Sequence, residues 1–345
     1  MRKILSLFLA LFLLLGLLSG CDEEAEPTET ATRPTVTTAP ESEETEETTE
    51  PEEPRETETP EETESVEESP LNTTVLRSGD AELLAEYILL AVSPEGPFHS
   101  EDITFNEKGA ESLVRWLLGD TSREKLESFG VAEYGEPIFS LPEKPANYLG
   151  WIPEATEDTK SIRLIMVDTL EESGILEELL EEFEETYGYE VSVQSTSASG
   201  ALTMAKLGIF DLVLTEQSEA TANFVADGYA RVLNGFETEE MALCSMEYLL
   251  CGPKDDPAGA ADAATLADAF AAIAKTESRF LSRGDESASH KREIALWPEN
   301  QEFGDWYLNV GTEMGPLLVM NEFEGGYVLT DKLTWLIFYH NNGII

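Results

Sequence analysis

The chain has 345 residues, 70 acidic against 21 basic, for a formal net charge of −49. Hydrophobic residues make up 41%, a globular proportion, and the length allows two to three domains with a sizeable core. Nucleic acid is excluded as a partner, because neutralising phosphates needs a basic surface. The three cysteines are too few for a disulfide scaffold.

The charge is unevenly spread. Residues 22–75 hold 20 acidic residues and only Arg33 and Arg55 as basic ones, which leaves 50 acidic and 17 basic in 76–345. The folded part is therefore itself acidic, which favours solubility and repels anionic surfaces at low salt.

Met1-Arg2-Lys3 is a basic start, and Ile4 to Leu18 is an almost unbroken apolar run. That run is short of the roughly 20 residues of a membrane span and fits a secretory signal peptide over 1–21. Leu18-Ser19-Gly20-Cys21 resembles a bacterial lipobox, in which the cysteine is lipidated and becomes the mature N-terminus. Residues 22–71 are chiefly Glu, Thr, Pro and Ser. Such a segment cannot bury enough apolar surface to offset ordering, so a disordered, self-repelling acidic stalk is expected. Coil scaling gives it a reach of roughly 40 Å or more. The expected location is the outer face of the cytoplasmic membrane, with Cys21 as the lipid anchor.

From Ser161 the chain alternates strands and helices. Ile162 to Val167 reads as a buried strand. Thr169 and Glu172 are spaced as a capping box for a helix. Ile175, Leu176, Leu179, Leu180 and Phe183 give that helix its apolar face, and Gly188 its stop. Glu190–Gln194 reads as a strand, Ser195–Gly200 as a hydroxyl-rich loop opening a second helix, and Phe210–Leu214 as a third strand. This β-α-β-α-β run implies a parallel sheet with helices on both faces, with ligands at strand C-terminal ends.

A second unit starts near Glu247. Tyr248–Cys251 reads as a crossing strand, Ala263–Lys275 as a helix, Arg279–Leu281 as a strand, and the chain then turns helical as far as Trp297. Three helix entrances carry hydroxyls or a guanidinium: Thr169–Ser173, Ser195–Ser199 and Arg283–Ser289. Each is ordinary capping when taken alone. Converging on one cleft, their N–H groups and the arginine fork would suit an anion.

Ser282-Arg283-Gly284-Asp285-Glu286-Ser287-Ala288-Ser289-His290-Lys291-Arg292-Glu293, followed by Leu296-Trp297, resembles the S-R-G-D-x-S-G-T-H-x-x-E signature of tungstate-binding proteins of ABC importers. Gly252–Gly259, Phe224–Tyr229, Trp306–Leu308, Met314-Gly315 and Tyr327–Asp331 resemble further motifs of that family, in its order. The resemblance covers most of 162–338. It implies an α/β, two-lobed, type II periplasmic-binding-protein-like fold, each lobe a sheet flanked by helices, that closes on a small oxyanion such as tungstate or molybdate. It implies ligand roles for Arg283 and Ser289, and support of the loop by His290. Ser287, Thr169, Ser197 and Ser199 complete the candidate ligand set. The sequence departs from the family at Asp168, in the first loop, and at Ser197-Ala198-Ser199, where the family has a G-T-G stretch.

Segments that the family carries after its Leu-Thr-Asp motif have their resemblance at the other end of this chain, in Leu76–Asp80, Tyr87–Val92, Leu113–Leu118 and Phe129–Phe139. A circular permutation is therefore expected, with a truncated tandem copy as the other reading. The permuted solute-binding domain would be 72–345. Lobe one would combine about 101–141 with 161–246, and lobe two about 72–100 with 247–345. Residues 142–160 would be the connector, and Ile344-Ile345 would lie near Val75-Leu76.

Ser287, His290 and Glu293 recur at helical spacing, but side chains on one helix spread along it, so neither a metal nor a catalytic role is expected. No cofactor is implied and no enzyme is expected. Cys244 and Cys251 are spaced wrongly for zinc and are expected as buried free thiols. The expected function is a lipid-anchored substrate-binding protein with an ABC permease as partner. The other reading is a lipoprotein, a sensor or interaction module, that kept the fold and changed or lost the ligand.

Overall fold

The computed structural model describes residues 71–97, 103–144, 150–171 and 173–343. The signal segment, Cys21, the stalk and Ile344-Ile345 lie outside these residues, as do Glu172 and the side chain of Asp168.

Two strands come first, β1 (Thr73–Arg77) and β2 (Leu84–Ala91). Gly79, at φ 76°, turns the chain between them. Helices α1 (Glu107–Leu117), α2 (Asp120–Ser128) and α3 (Val131–Tyr134) lead to the short β3 (Phe139–Ser140). The alternating run follows: β4 (Ser161–Val167), α4 (Asp168–Glu171), α5 (Ile175–Tyr187), β5 (Glu190–Thr196), α6 (Ala198–Ala205), β6 (Leu212–Glu216) and α7 (Glu219–Ala226). The long β7 (Glu240–Pro253) is followed by α8 (Leu266–Thr276), β8 (Phe280–Ser282), α9 (Ala288–Leu296), β9 (Tyr307–Asn309), α10 (Met314–Glu324), β10 (Val328–Asp331) and α11 (Lys332–His340).

Strand β4 pairs in parallel with β5 and with β6, as alternation requires. The main sheet runs β1-β7-β2-β6-β4-β5, with β3 and β10 also on β7. Strand β7 is the crossing element. Its first half pairs antiparallel with β2, from Leu90↔Glu240 to Leu84↔Glu247. Its second half pairs with β10, from Asp331↔Tyr248 to Val328↔Cys251, and with β1, up to Thr73↔Pro253. The change of partner falls between Glu247 and Tyr248, where the second unit is read to start. Strands β8 and β9 pair in parallel, and a bridge from Phe280 to Tyr327 leads from them towards β10.

One detail differs from the expectations. The long helix starts at Ile175 rather than Thr169, because Gly174 at φ 75° separates it from the short α4. The Glu172 half of the expected capping box lies outside the described residues. The first two strands have different neighbours: β1 pairs with the second half of β7, whereas β2 lies between β6 and β7. The turn at Gly79 is what separates them.

Helix α1 packs against α5. Trp116 of α1 is nearly buried, donates its indole N–H to the Leu179 carbonyl at 2.8 Å, and lies 6.2 Å from the Phe183 ring of α5. In the other half, Trp297 meets Phe270 and Phe280 edge-on, at 4.8 and 4.9 Å. Cys244 and Cys251 are buried and free. Burial pushes the Cys244 thiol up to about 12 and the Cys251 thiol well above its ordinary value, so both stay protonated. Among the described residues, no helix is long and apolar enough to cross a membrane.

Candidate functional site

Thr169 stands just past the C-terminal end of β4, where its hydroxyl accepts a hydrogen bond from the Tyr87 phenol at 3.3 Å. Tyr87 is fully buried. Burial, reinforced by nearby Glu216, holds its phenol well above the ordinary range, so it stays a donor. Ser173 donates to the Leu170 carbonyl at 2.7 Å. The first entrance is thus tied to β2 from behind.

The second entrance follows β5. Ser197 is the N-cap of α6 and accepts from the Gly200 N–H at 3.3 Å. A Cβ on Gly200 would lie 2.8 Å from the Thr196 hydroxyl, so a side chain there would have to displace it.

The third entrance follows β8 and is the most closely organised. Arg283 donates through Nε and Nη2 to one Asp285 carboxylate oxygen, at 2.9 and 2.6 Å. The other Asp285 oxygen accepts the Ser287 N–H at 3.1 Å. Ser287 caps α9 by accepting from the His290 N–H at 3.3 Å, and its hydroxyl lies 3.1 Å from that of the buried Ser289. His290 Nδ1 accepts the Glu286 N–H at 3.0 Å, so the imidazole holds the loop from behind. Partial burial works to raise the Asp285 carboxyl. Hydrogen bonds from Ser287 and the Arg283 guanidinium outweigh it and hold the group below its ordinary value. Gly284 sits at φ 60°, and a Cβ there would fall 1.5 Å from Asn309 Oδ1. Beneath the loop, the Glu293 carboxylate accepts from Trp297 Nε1 at 3.0 Å and from the Tyr307 hydroxyl at 2.8 Å. Burial raises the Glu293 carboxyl above its ordinary value despite these donors.

A cleft of about 580 Å³ lies between the α6–α7 side and α9. Ser197, Ser199, Glu216 and Ser218 line one side, and Ala288, Lys291 and Arg292 the other. Two of the three entrances therefore open on it, since Ala288 is the first residue of α9. The lining takes in neither Arg283, Ser287 nor Ser289, which form their own cluster at the head of α9, nor Thr169, which is held by Tyr87. Lys291 Nζ reaches across to Ser199 Oγ at 3.4 Å. Arg292 donates to the carbonyls of Glu82 and Leu84 at 2.9 and 3.0 Å and lies 3.4 Å from Glu216. Its guanidinium also sits 5.0 Å over the Tyr248 ring. Such a cleft can take a small charged solute with hydroxyl, N–H and cationic donors. Among the described residues, no group of three or more His, Cys, Asp or Glu could hold a metal ion.

Lys291, Arg292 and Glu216 escape a sequence reading that weighs only hydroxyls and Arg283. The available signal is that the two cations sit inside the signature segment of a chain short of basic residues.

The fold is of the periplasmic-binding-protein-like class. The family model described as PBP superfamily domain matches residues 153–336, and the chain belongs to that family. The tungstate-binding protein TupA of Peptoclostridium acidaminophilum is 33% identical over 187 residues, which are 53% of this chain and 63% of that protein. A Haloferax volcanii protein named as an ABC transporter anion-binding protein is 31% identical over 185 residues, 53% of this chain and 52% of that one. The chain thus spans about half to three fifths of the length of these relatives. A crystal structure of the tungstate ABC transporter from Geobacter sulfurreducens is 31% identical, with 52% of this chain and 75% of that one covered and a TM-score of 0.41.

Proposed function

We propose that this protein is the extracellular, lipid-anchored substrate-binding protein of an ABC importer, and that it closes on a small oxyanion such as tungstate or molybdate. The observation that carries the reading is the cleft itself: the hydroxyls of Ser197 and Ser199 face Lys291 and the first turn of α9 across it. Arg283, Ser287 and Ser289 at the head of α9, with Thr169, would complete the ligand set as the two sides approach. The relatives with tungstate or anion binding in their names support the ligand class. Cys21 would carry the lipid, the acidic segment 22–71 would be the stalk, and a membrane permease would be the partner. No step of catalysis is part of this reading.

The order of segments fits a permuted domain. Strands β1, β2 and β3 lie outside the matched region 153–336, yet all three pair with β7 inside it. A Cβ on Gly343 would meet the Leu71 side chain at 2.9 Å, so these two residues are neighbours.

A second reading has its own observation. Arg283 is engaged by Asp285, and Glu82 and Glu216 line the cleft. A lipoprotein that kept the fold and gave up anion binding would look the same. Thermal melting of the protein with millimolar tungstate, molybdate or sulfate separates the two. A ligand at 100 times its Kd stabilises by about 2.7 kcal/mol, which raises Tm by a few degrees. A rise that is lost in Arg283→Ala supports the importer reading, and no rise with any of the anions supports the other.

A further inference from the structure

We infer that Lys291 is a second cation of the binding site, contacting the bound anion directly and joining the two walls of the cleft around it. The inference rests on the oxyanion reading and goes beyond the ligand set that the sequence supports. The argument begins with charge. A doubly charged oxyanion in this cleft meets the carboxylates of Glu82 and Glu216 in its lining. Serine hydroxyls and helix N–H groups favour the anion but carry only partial charge, so they offset those carboxylates less than a full positive charge does. A cationic side chain in the lining offsets them best.

Three cations are at hand, and the structure ranks them. Arg292 is committed on several sides. It donates to two backbone carbonyls, lies beside Glu216, and covers the Tyr248 ring. It positions α9 against the start of β2 and the end of β6, and has little freedom to follow a ligand. Arg283 is held by Asp285 and stands at the head of α9 rather than in the lining of the cleft. Lys291 alone is both in the lining and lightly held. Its side chain is exposed, and its ammonium has the Ser199 hydroxyl as a partner at 3.4 Å, a long contact.

The position of Lys291 has a further consequence. It belongs to α9, whereas Ser199 belongs to the first turn of α6 on the opposite wall. An ammonium has three donors. One on Ser199 leaves two for an anion lodged at the α6 N-terminus, so the same side chain would bind the ligand and hold the walls together. An anion bound there adds bonds between two ionised groups to the single long contact with Ser199.

The test is isothermal titration of the whole protein with molybdate, tungstate and sulfate, comparing wild type with Lys291→Met and Lys291→Arg at two salt concentrations. Lys291→Met is expected to bind about tenfold or more weakly, with affinity that falls less steeply as salt rises. Lys291→Arg is expected to stay within about threefold of wild type, since it keeps the charge. The Tm without anion should be unchanged in both, because the side chain is exposed. Wild-type affinity and salt dependence in Lys291→Met would overturn the inference while leaving the oxyanion reading in place. A wild-type protein that binds none of the three anions would overturn the oxyanion reading, and the inference with it.

Discussion

Asp285 sets the shape of the loop at the head of α9. One carboxylate oxygen takes both Arg283 bonds and the other takes the Ser287 N–H, so a single side chain fixes the arginine and the first residues of the helix. Its carboxyl is held below the ordinary value, which makes its contribution to stability depend on pH. The folded state binds this proton less firmly than the unfolded chain does. The contribution is therefore full above the unfolded pKa of about 3.9 and is lost as pH falls through the lower folded value. Urea denaturation of Asp285→Asn against wild type checks this. The variant should be the less stable at pH 7, and the gap should close as pH falls below about 3. A gap independent of pH would mean that the carboxylate charge plays no part. The loop has no room for change at Gly284, where the backbone is left-handed and Asn309 fills the space of a side chain.

Among the elements, α5 shows how much of this structure can be read directly. Ile175, Leu176, Leu179, Leu180 and Phe183 repeat at helical spacing, and all five are buried. Gly188 ends the helix at φ 76°, and its N–H donates to the Glu184 carbonyl at 2.9 Å. No backbone atom crowds a Cβ at that position, so the penalty for a side chain is conformational. Gly188→Ala should cost about 1 kcal/mol of stability, with Gly188→Asn costing less, as chemical denaturation would measure. The parallel β4, β5 and β6 were legible for a similar reason, because alternation with helices dictates a parallel sheet. The edge position of β5 was not. Val193 is 41% exposed there, and among the described residues β5 pairs with β4 alone. Strand β2 was harder still. Tyr87–Val92 is a run of apolar residues without alternation, and nothing local in such a run tells which sheet will bury it. The cleft was partly legible. Hydroxyls at Ser197 and Ser199 stand out at a helix start, whereas Lys291 and Arg292 read locally as surface residues of a helix. Their approach to α6, β2 and β6 depends on contacts distant in sequence.

At the scale of the whole molecule, β7 holds the structure together. It pairs with β2 and β3 along its first half and with β1 and β10 along its second. Three of those four partners come from before residue 141, outside the region that matches the family model. A fragment of residues 153–336 would leave buried edges of β7 without partners, and it should fail to unfold cooperatively when followed by circular dichroism. A chain that opens between 144 and 150, with Gly343 joined to Leu71 through a short linker, should instead keep the fold, because those two residues are neighbours. Cooperative unfolding of the fragment alone would contradict the permuted reading.

The central claim is that the cleft binds an oxyanion. Isothermal titration of the protein with tungstate, molybdate and sulfate tests it most directly, with Arg283→Ala alongside. The account predicts saturable binding of one anion per chain, tightest for tungstate or molybdate and lost or strongly weakened in the variant. Absence of heat and of saturation with all three anions would contradict it.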